Sequence, residues 1–134
     1  MATQSAELQY APWSEWNPKE YLAEYYAEIM PDERFAMEFL VESMRRLPDV
    51  PVALDFGCGP TVHHLFPLVP KVQEIHLADY LPTNREEVRR WIEGAEGAHD
   101  WHAFAAETLR LEGNPSPTDS AVQERQQQTR QRIT

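Results

Sequence analysis

The chain has one cysteine, Cys58, among 134 residues. A single thiol excludes an internal disulfide framework and suits a reducing compartment. Basic residues are scarce: 12 Lys and Arg stand against 22 Asp and Glu, for a net charge of −10. Non-specific binding to nucleic acid needs a basic face to displace counterions from phosphates, so no nucleic-acid partner is expected. The same charge disfavours docking on anionic lipid. No apolar run approaches the roughly 20 residues that a spanning helix needs, so no membrane partner is expected either. Met1–Tyr10 lacks a basic stretch followed by an apolar one, so no secretory signal is expected. The chain shows no internal repeat and no heptad pattern. These absences leave an acidic, soluble, cytoplasmic protein as the expectation. The length suits one domain, and 42% hydrophobic residues suffice for a modest core.

What is present reads as alternating helices and strands. The first dozen residues are polar and read as loose, with 1–15 taken as an N-terminal extension. Asn17-Pro18 reads as a helix N-cap with proline at the first helical position. Tyr21, Leu22, Tyr25, Tyr26 and Ile29 then recur at helical spacing. A second helix is expected over about Glu33–Arg46, with Ala36, Met37, Leu40, Val41, Met44 and Leu47 on one face. Val52–Phe56 is an apolar run suited to a parallel strand buried on both faces. Thr61–Val69 suits a short helix, and Glu74–Ala78 a second strand. Thr83–Ile92 reads as a helix with Thr83 as N-cap and Glu86 at the capping-box position. His102–Leu109 is read as a third strand, and the polar segment 118–132 as a solvated crossover helix or a tail. Strands alternating with helices point to an α/β parallel sheet with right-handed crossovers.

The most informative stretch is Asp55-Phe56-Gly57-Cys58-Gly59-Pro60-Thr61, directly after the first strand. Two glycines allow a sharp turn and close approach of a ligand. The turn is expected to feed a helix N-terminus, which favours a negative group. Asp79 ends the second strand, 20 residues after Gly59. An acid at that distance hydrogen-bonds ribose hydroxyls in nucleotide-binding α/β folds. The dinucleotide fingerprint would put a third glycine at position 62, where Val62 stands, and no phosphate-binding Gly-Lys-Ser/Thr follows. Asp55 would repel a pyrophosphate but suits a cationic group. S-adenosylmethionine carries an amine, a sulfonium and a ribose and no phosphate, so it fits this turn better than NAD does. A glycine pair in such a turn can also be no more than a tight turn, and the two acids are what favour a cofactor.

These residues resemble a known family. The stretches W-N-P-K-E-Y-L-A-E-Y-Y (16–26), L-D-F-G-C-G-P-T (54–61), A-D-Y-L-P-T-N (78–84), D-W (100–101) and L-E-G-N (111–114) are similar to the small-molecule amine N-methyltransferases that include nicotinamide, phenylethanolamine and indolethylamine N-methyltransferases. The resemblance implies a class I, Rossmann-like fold, S-adenosylmethionine as cofactor and a small-molecule amine as acceptor. It implies that Tyr21 and Tyr26 close over the cofactor, that Gly57 and Thr61 surround its methionine moiety, that Asp79 binds ribose and that Asn84 lies nearby. His63 stands where the family often has a tyrosine at the methionine end. Asp55, Gly59 and Tyr80 complete the expected cofactor set. The family continues with another strand where Arg132-Ile133-Thr134 lie, so residues 16–134 read as the N-terminal half of such a domain, with about three of its strands. On that reading the chain is inactive alone, and one edge and one apolar face of the sheet are left uncovered.

No catalytic residue is assigned, because the groups that orient the acceptor would lie mainly beyond Thr134. His63-His64, His76, His99 and His102 lack a metal-ligand spacing, and neighbouring histidines on a helix point about 100° apart, so no metal is expected. Trp91 and Trp101 read as packing anchors. Two other functions stay open: a non-catalytic short form that binds a partner through its sheet edge, and a nucleotide-binding regulatory module using the same turn. The sequence leaves the acceptor and the oligomeric state undetermined.

Overall fold

A computed structural model describes residues 12–134. Most of the stretch read as a loose N-terminus, residues 1–11, lies outside the described residues. Trp13–Glu15 form one 3-10 turn. Helix α1 spans Pro18–Tyr25 and starts as its sequence dictates: Asn17 accepts hydrogen bonds from the Lys19 and Glu20 amides, and Pro18 occupies the first turn. Helix α2 spans Pro31–Arg46. Pro31 opens it rather than punctuating before it. Asp32 and Glu33 sit at its positive end and Arg45 and Arg46 at its negative end. Met37 and Val41 are its buried stripe.

Strand β1 (Val50–Phe56) pairs in parallel with β2 (Val72–Ala78), Val52 opposite Glu74 and Phe56 opposite Ala78. A 3-10 helix over His63–Leu68 connects them, where the sequence suggested a short helix. Helix α3 spans Pro82–Ile92. Its N-cap is Leu81, with no side-chain cap, so the expected Thr83–Glu86 capping box does not form. Pro82 sets the helix start one residue earlier, and Glu86 pairs with Arg89 instead.

The expected third strand is a helix. α4 runs over His102–Leu111 and buries Phe104, Ala105, Ala106 and Thr108. Three- and four-residue spacing of the buried residues and the alanines favour a helix here over the strand expected for His102–Leu109. The polar segment is helix α5, Asp119–Arg132, capped by Thr118 and buried along Val122, Gln126 and Thr129. The sheet of the described residues therefore has two strands rather than three. A parallel bridge joins Ile133 to Ile75, and the Thr134 amide donates to the Ile75 carbonyl at 3.1 Å. This bridge is an isolated one outside the pairing of the two strands.

The core lies where α2, α4, α5 and the 3-10 helix meet. Met37, Leu65, Phe66, Ile75, Trp101 and Phe104 are at most 1% exposed. Burying each large side chain stabilises by about 1.5–3 kcal/mol. Trp91 and Trp101 are packing anchors as expected. Arg125 ties the layers together, donating to Phe66 O at 3.0 Å and, through both terminal nitrogens, to Glu112. β1 is not buried on both faces. Its alternate residues Val52, Leu54 and Phe56 are 48%, 61% and 84% exposed.

Candidate functional site

The parallel pairing brings the C-terminal ends of β1 and β2 side by side, and the site forms there. Gly57 and Gly59 have φ of +73° and +61°, a region that L side chains avoid. Gly57 N and Cys58 N donate to Ala78 O at 2.7 and 3.1 Å, which turns the chain sharply off β1. Thr61 closes the turn by donating its hydroxyl to Cys58 O at 2.8 Å. A Cβ built on Gly57 or Gly59 meets no atom within 4 Å, so both face open space. The turn runs into the short 3-10 helix, where the sequence suggested a helix N-terminus.

Asp79 organises the opposite wall. Its Oδ1 accepts from Gly59 N and its Oδ2 from Leu81 N and Asn84 Nδ2, each at 3.0 Å. Burial raises its pKa, but hydrogen bonds from Asn84, Leu81 and Gly59 and the charge of Arg85 outweigh that and hold it below the usual carboxylate value. Asn84 is fixed in turn by Trp16, whose Nε1–H donates to Asn84 Oδ1 at 2.8 Å. A chain of hydrogen bonds thus links the N-terminal segment to Asp79 and the glycine turn.

Tyr21, Tyr26, Asp55, Gly57, Gly59, Thr61, Asp79, Tyr80 and Asn84 all line one cavity of about 520 Å³. Trp13, Trp16 and His64 join them, and the sequence had singled out none of these as site residues. Tyr26 is buried beneath Tyr21, their hydroxyls 3.5 Å apart. Burial, the bond with Tyr21 and the neighbouring Glu33 charge raise the Tyr26 pKa far above normal, so the phenol stays protonated. Burial also raises the Asp55 pKa, and His64 offsets this only in part. Burial and the charges of Asp55 and Asp79 push the Cys58 thiol up to about 11, which removes it as a nucleophile at neutral pH.

His63 is the exception among the expected residues. It is 0% exposed and lies behind the cavity wall, stacked on Trp101 with ring centroids 5.1 Å apart. Its Nε2 lies 2.7 Å from Glu33 Oε2, and His64 Nε2 lies 3.1 Å from the same oxygen. The hydrogen bond from His63 holds the Glu33 carboxyl down to about 2, against the effect of burial. Burial lowers the His63 pKa in spite of Glu33 and keeps the ring neutral. Tyr26 donates to the other Glu33 oxygen at 3.2 Å. Glu33 is a residue that sequence reading missed: it lies 30 positions from His63, and no local motif joins them.

The described part of the chain is thus a mixed helix–strand unit whose small parallel sheet carries a cavity at its carboxyl end. A profile of the NNMT/PNMT/TEMT family matches residues 5–134, and the chain belongs to that family. Mouse (Mus musculus) indolethylamine N-methyltransferase is 29% identical over 109 residues, 76% of this chain and 41% of its own length. Pig (Sus scrofa) nicotinamide N-methyltransferase is 30% identical over 108 residues, 75% and 41% of the two chains. Bovine (Bos taurus) phenylethanolamine N-methyltransferase is 31% identical over 80 residues, 60% and 27% of the two chains. The matches span about two fifths or less of these curated relatives. No helix among the described residues is long and apolar enough to cross a membrane.

Proposed function

We propose that this chain is the cofactor-binding part of a class I, S-adenosylmethionine-dependent N-methyltransferase that acts on a small-molecule amine. The observation that carries the reading is the Asp79 carboxylate, held 3.0 Å from Gly59 N at the mouth of the cavity. A carboxylate accepts about four hydrogen bonds, and three positions here are filled by the protein. The remaining one, on Oδ1, suits a ribose hydroxyl.

The other walls fit the same molecule. The cavity volume lies in the usual range for small-molecule sites, about 300–1,000 Å³. Val62 replaces the glycine that a pyrophosphate site wants, and the Asp55 carboxylate opposes a phosphate. Asp55 offers a carboxylate to an ammonium group. The rings of Trp16, Tyr21 and Tyr26 offer electron-rich faces to a cation. S-adenosylmethionine supplies an electrophilic methyl group on sulfur. The chain's own part is to bind and orient. Asp79 and Asn84 fix one end, the glycine turn gives backbone room, and the aromatic residues from Trp13 to Tyr26 exclude water from the other end. Cys58 and Tyr26 stay protonated and take no proton. Residues that hold the acceptor amine belong to the remainder of a longer protein on this reading, and a cytoplasmic setting suits the free Cys58.

The exposed stripe Val52, Leu54, Phe56 favours a second reading, in which the chain docks on another protein without catalysis. The test is calorimetry with S-adenosylhomocysteine and with NAD, followed by methyl transfer to a panel of amines by a protein extended past Thr134. Saturable binding of S-adenosylhomocysteine in preference to NAD supports the methyltransferase. Preference for NAD favours a nucleotide module, and binding of neither leaves the docking reading in front.

A further inference from the structure

Neighbouring residues on a regular helix diverge by about 100°. His63 and His64, the first two residues of the 3-10 helix after Val62, nevertheless bring their rings together. Their ring centroids are 3.9 Å apart, and both Nε2 atoms point at Glu33 Oε2. The three donor atoms lie within 4.8 Å of one another. We propose that Glu33, His63 and His64 form a binding site for one divalent transition-metal ion of the zinc type, clamping α2 to the 3-10 helix behind the cavity wall.

The donor chemistry selects the ion. Two imidazole nitrogens and one carboxylate oxygen suit Zn²⁺, whereas Mg²⁺ and Ca²⁺ prefer oxygen throughout. Donors around a tetrahedral zinc ion sit about 3.3 Å apart at the usual bond lengths. The present separations of 2.7 and 3.1 Å need to open by only about 0.6 and 0.2 Å. Two walls of the site are already built. His63 and Glu33 have side-chain exposures of 0% and 19%, while His64, at 38%, lines the cavity and gives an entry path.

The surrounding shell supports the same reading. Tyr26 holds the second Glu33 oxygen and so aims Oε2 at the histidines, the arrangement typical of a ligating carboxylate. Coordination through Nε2 places the His63 ring proton on Nδ1. His63 Nδ1 is buried and makes no hydrogen bond, so this breaks no contact there. The new Nδ1–H would lie among the rings of Tyr26, Trp101 and Phe104, whose centroids are 5.0–5.1 Å from the imidazole. This site does not depend on the cofactor reading.

The test uses the full chain with His76→Ala and His102→Ala, because Glu74–His76 and Asp119–His102 are exposed pairs that could collect stray ions. Co²⁺ is titrated by visible absorption and Zn²⁺ by calorimetry and thermal melting. The expected result is one ion per chain, a four-coordinate Co²⁺ spectrum and a rise in melting temperature with Zn²⁺. His64→Gln should weaken binding at least tenfold and cancel the rise. Glu33→Gln repeats the comparison if His64→Gln loses its far-ultraviolet dichroism. Absence of saturable binding to the His76→Ala, His102→Ala chain, or affinity unchanged by either of the two ligand substitutions, overturns the proposal.

Discussion

Replacing Asp79 with Asn changes one oxygen for an NH2 group and removes one charge. The amide oxygen can still accept from Leu81 N and Asn84 Nδ2. Its NH2 group then faces the Gly59 N–H, donor against donor, where the carboxylate accepts at 3.0 Å. The glycine turn loses its anchor, and on the proposed reading a bound ribose loses a charged acceptor. A hydrogen bond to a charged group contributes about 1.5–3 kcal/mol, and 1.4 kcal/mol is a factor of ten, so affinity should fall about 10- to 150-fold. Stability should fall less, because water can reach the half-exposed Gly59 and Leu81 amides. Calorimetry with S-adenosylhomocysteine reads the first effect and a thermal melt the second. An affinity within threefold of the parent chain, with the melt intact, would refute the assignment of Asp79 to the cofactor.

Other substitutions separate the site from its scaffold. Gly57→Ala forces a side chain into φ +73° at about 1–2 kcal/mol and places a methyl group in the open cavity, so it should reduce cofactor affinity as well as the melting temperature. Phe104→Ala empties a fully enclosed site in the core and should cost about 3–5 kcal/mol in denaturant unfolding. The pH dependence has a definite sign. The Asp79 pKa is lowered in the folded chain, so its stabilisation is complete above the unfolded value near 3.9 and is lost as pH falls through the folded value. Acid titration of Asp79→Asn should therefore lack that share of the loss below about pH 4.

Local rules were the legible part of the sequence. Asn17 and Pro18 start α1 as their chemistry requires, and two apolar runs became β1 and β2. The glycine turn and Asp79 came together because a parallel pair places the ends of both strands on one side. The segment His102–Leu109, expected as a strand, is part of helix α4, and the burial of Phe104 and Thr108 one turn apart gives the weight to its helical spacing. The stripe on α5 was hidden because Gln126 and Thr129 are polar residues that pack as if apolar. Trp16 and Glu33 act over 68 and 30 positions, so no window on the chain could have joined them to Asn84 and His63.

The apolar stripe on β1 also governs how this chain behaves in bulk. Each molecule carries a charge of −10, and like charges hold copies apart at low ionic strength. Salt shortens that repulsion to about 8 Å at 0.15 M, while contact between apolar stripes survives screening. Acid does the same near the isoelectric point of about 4.9. The colloidal stability of the chain is thus a contest between a long-range repulsion and a short-range adhesive strip. Solutions should stay clear in dilute buffer and cloud as salt rises or pH approaches 5.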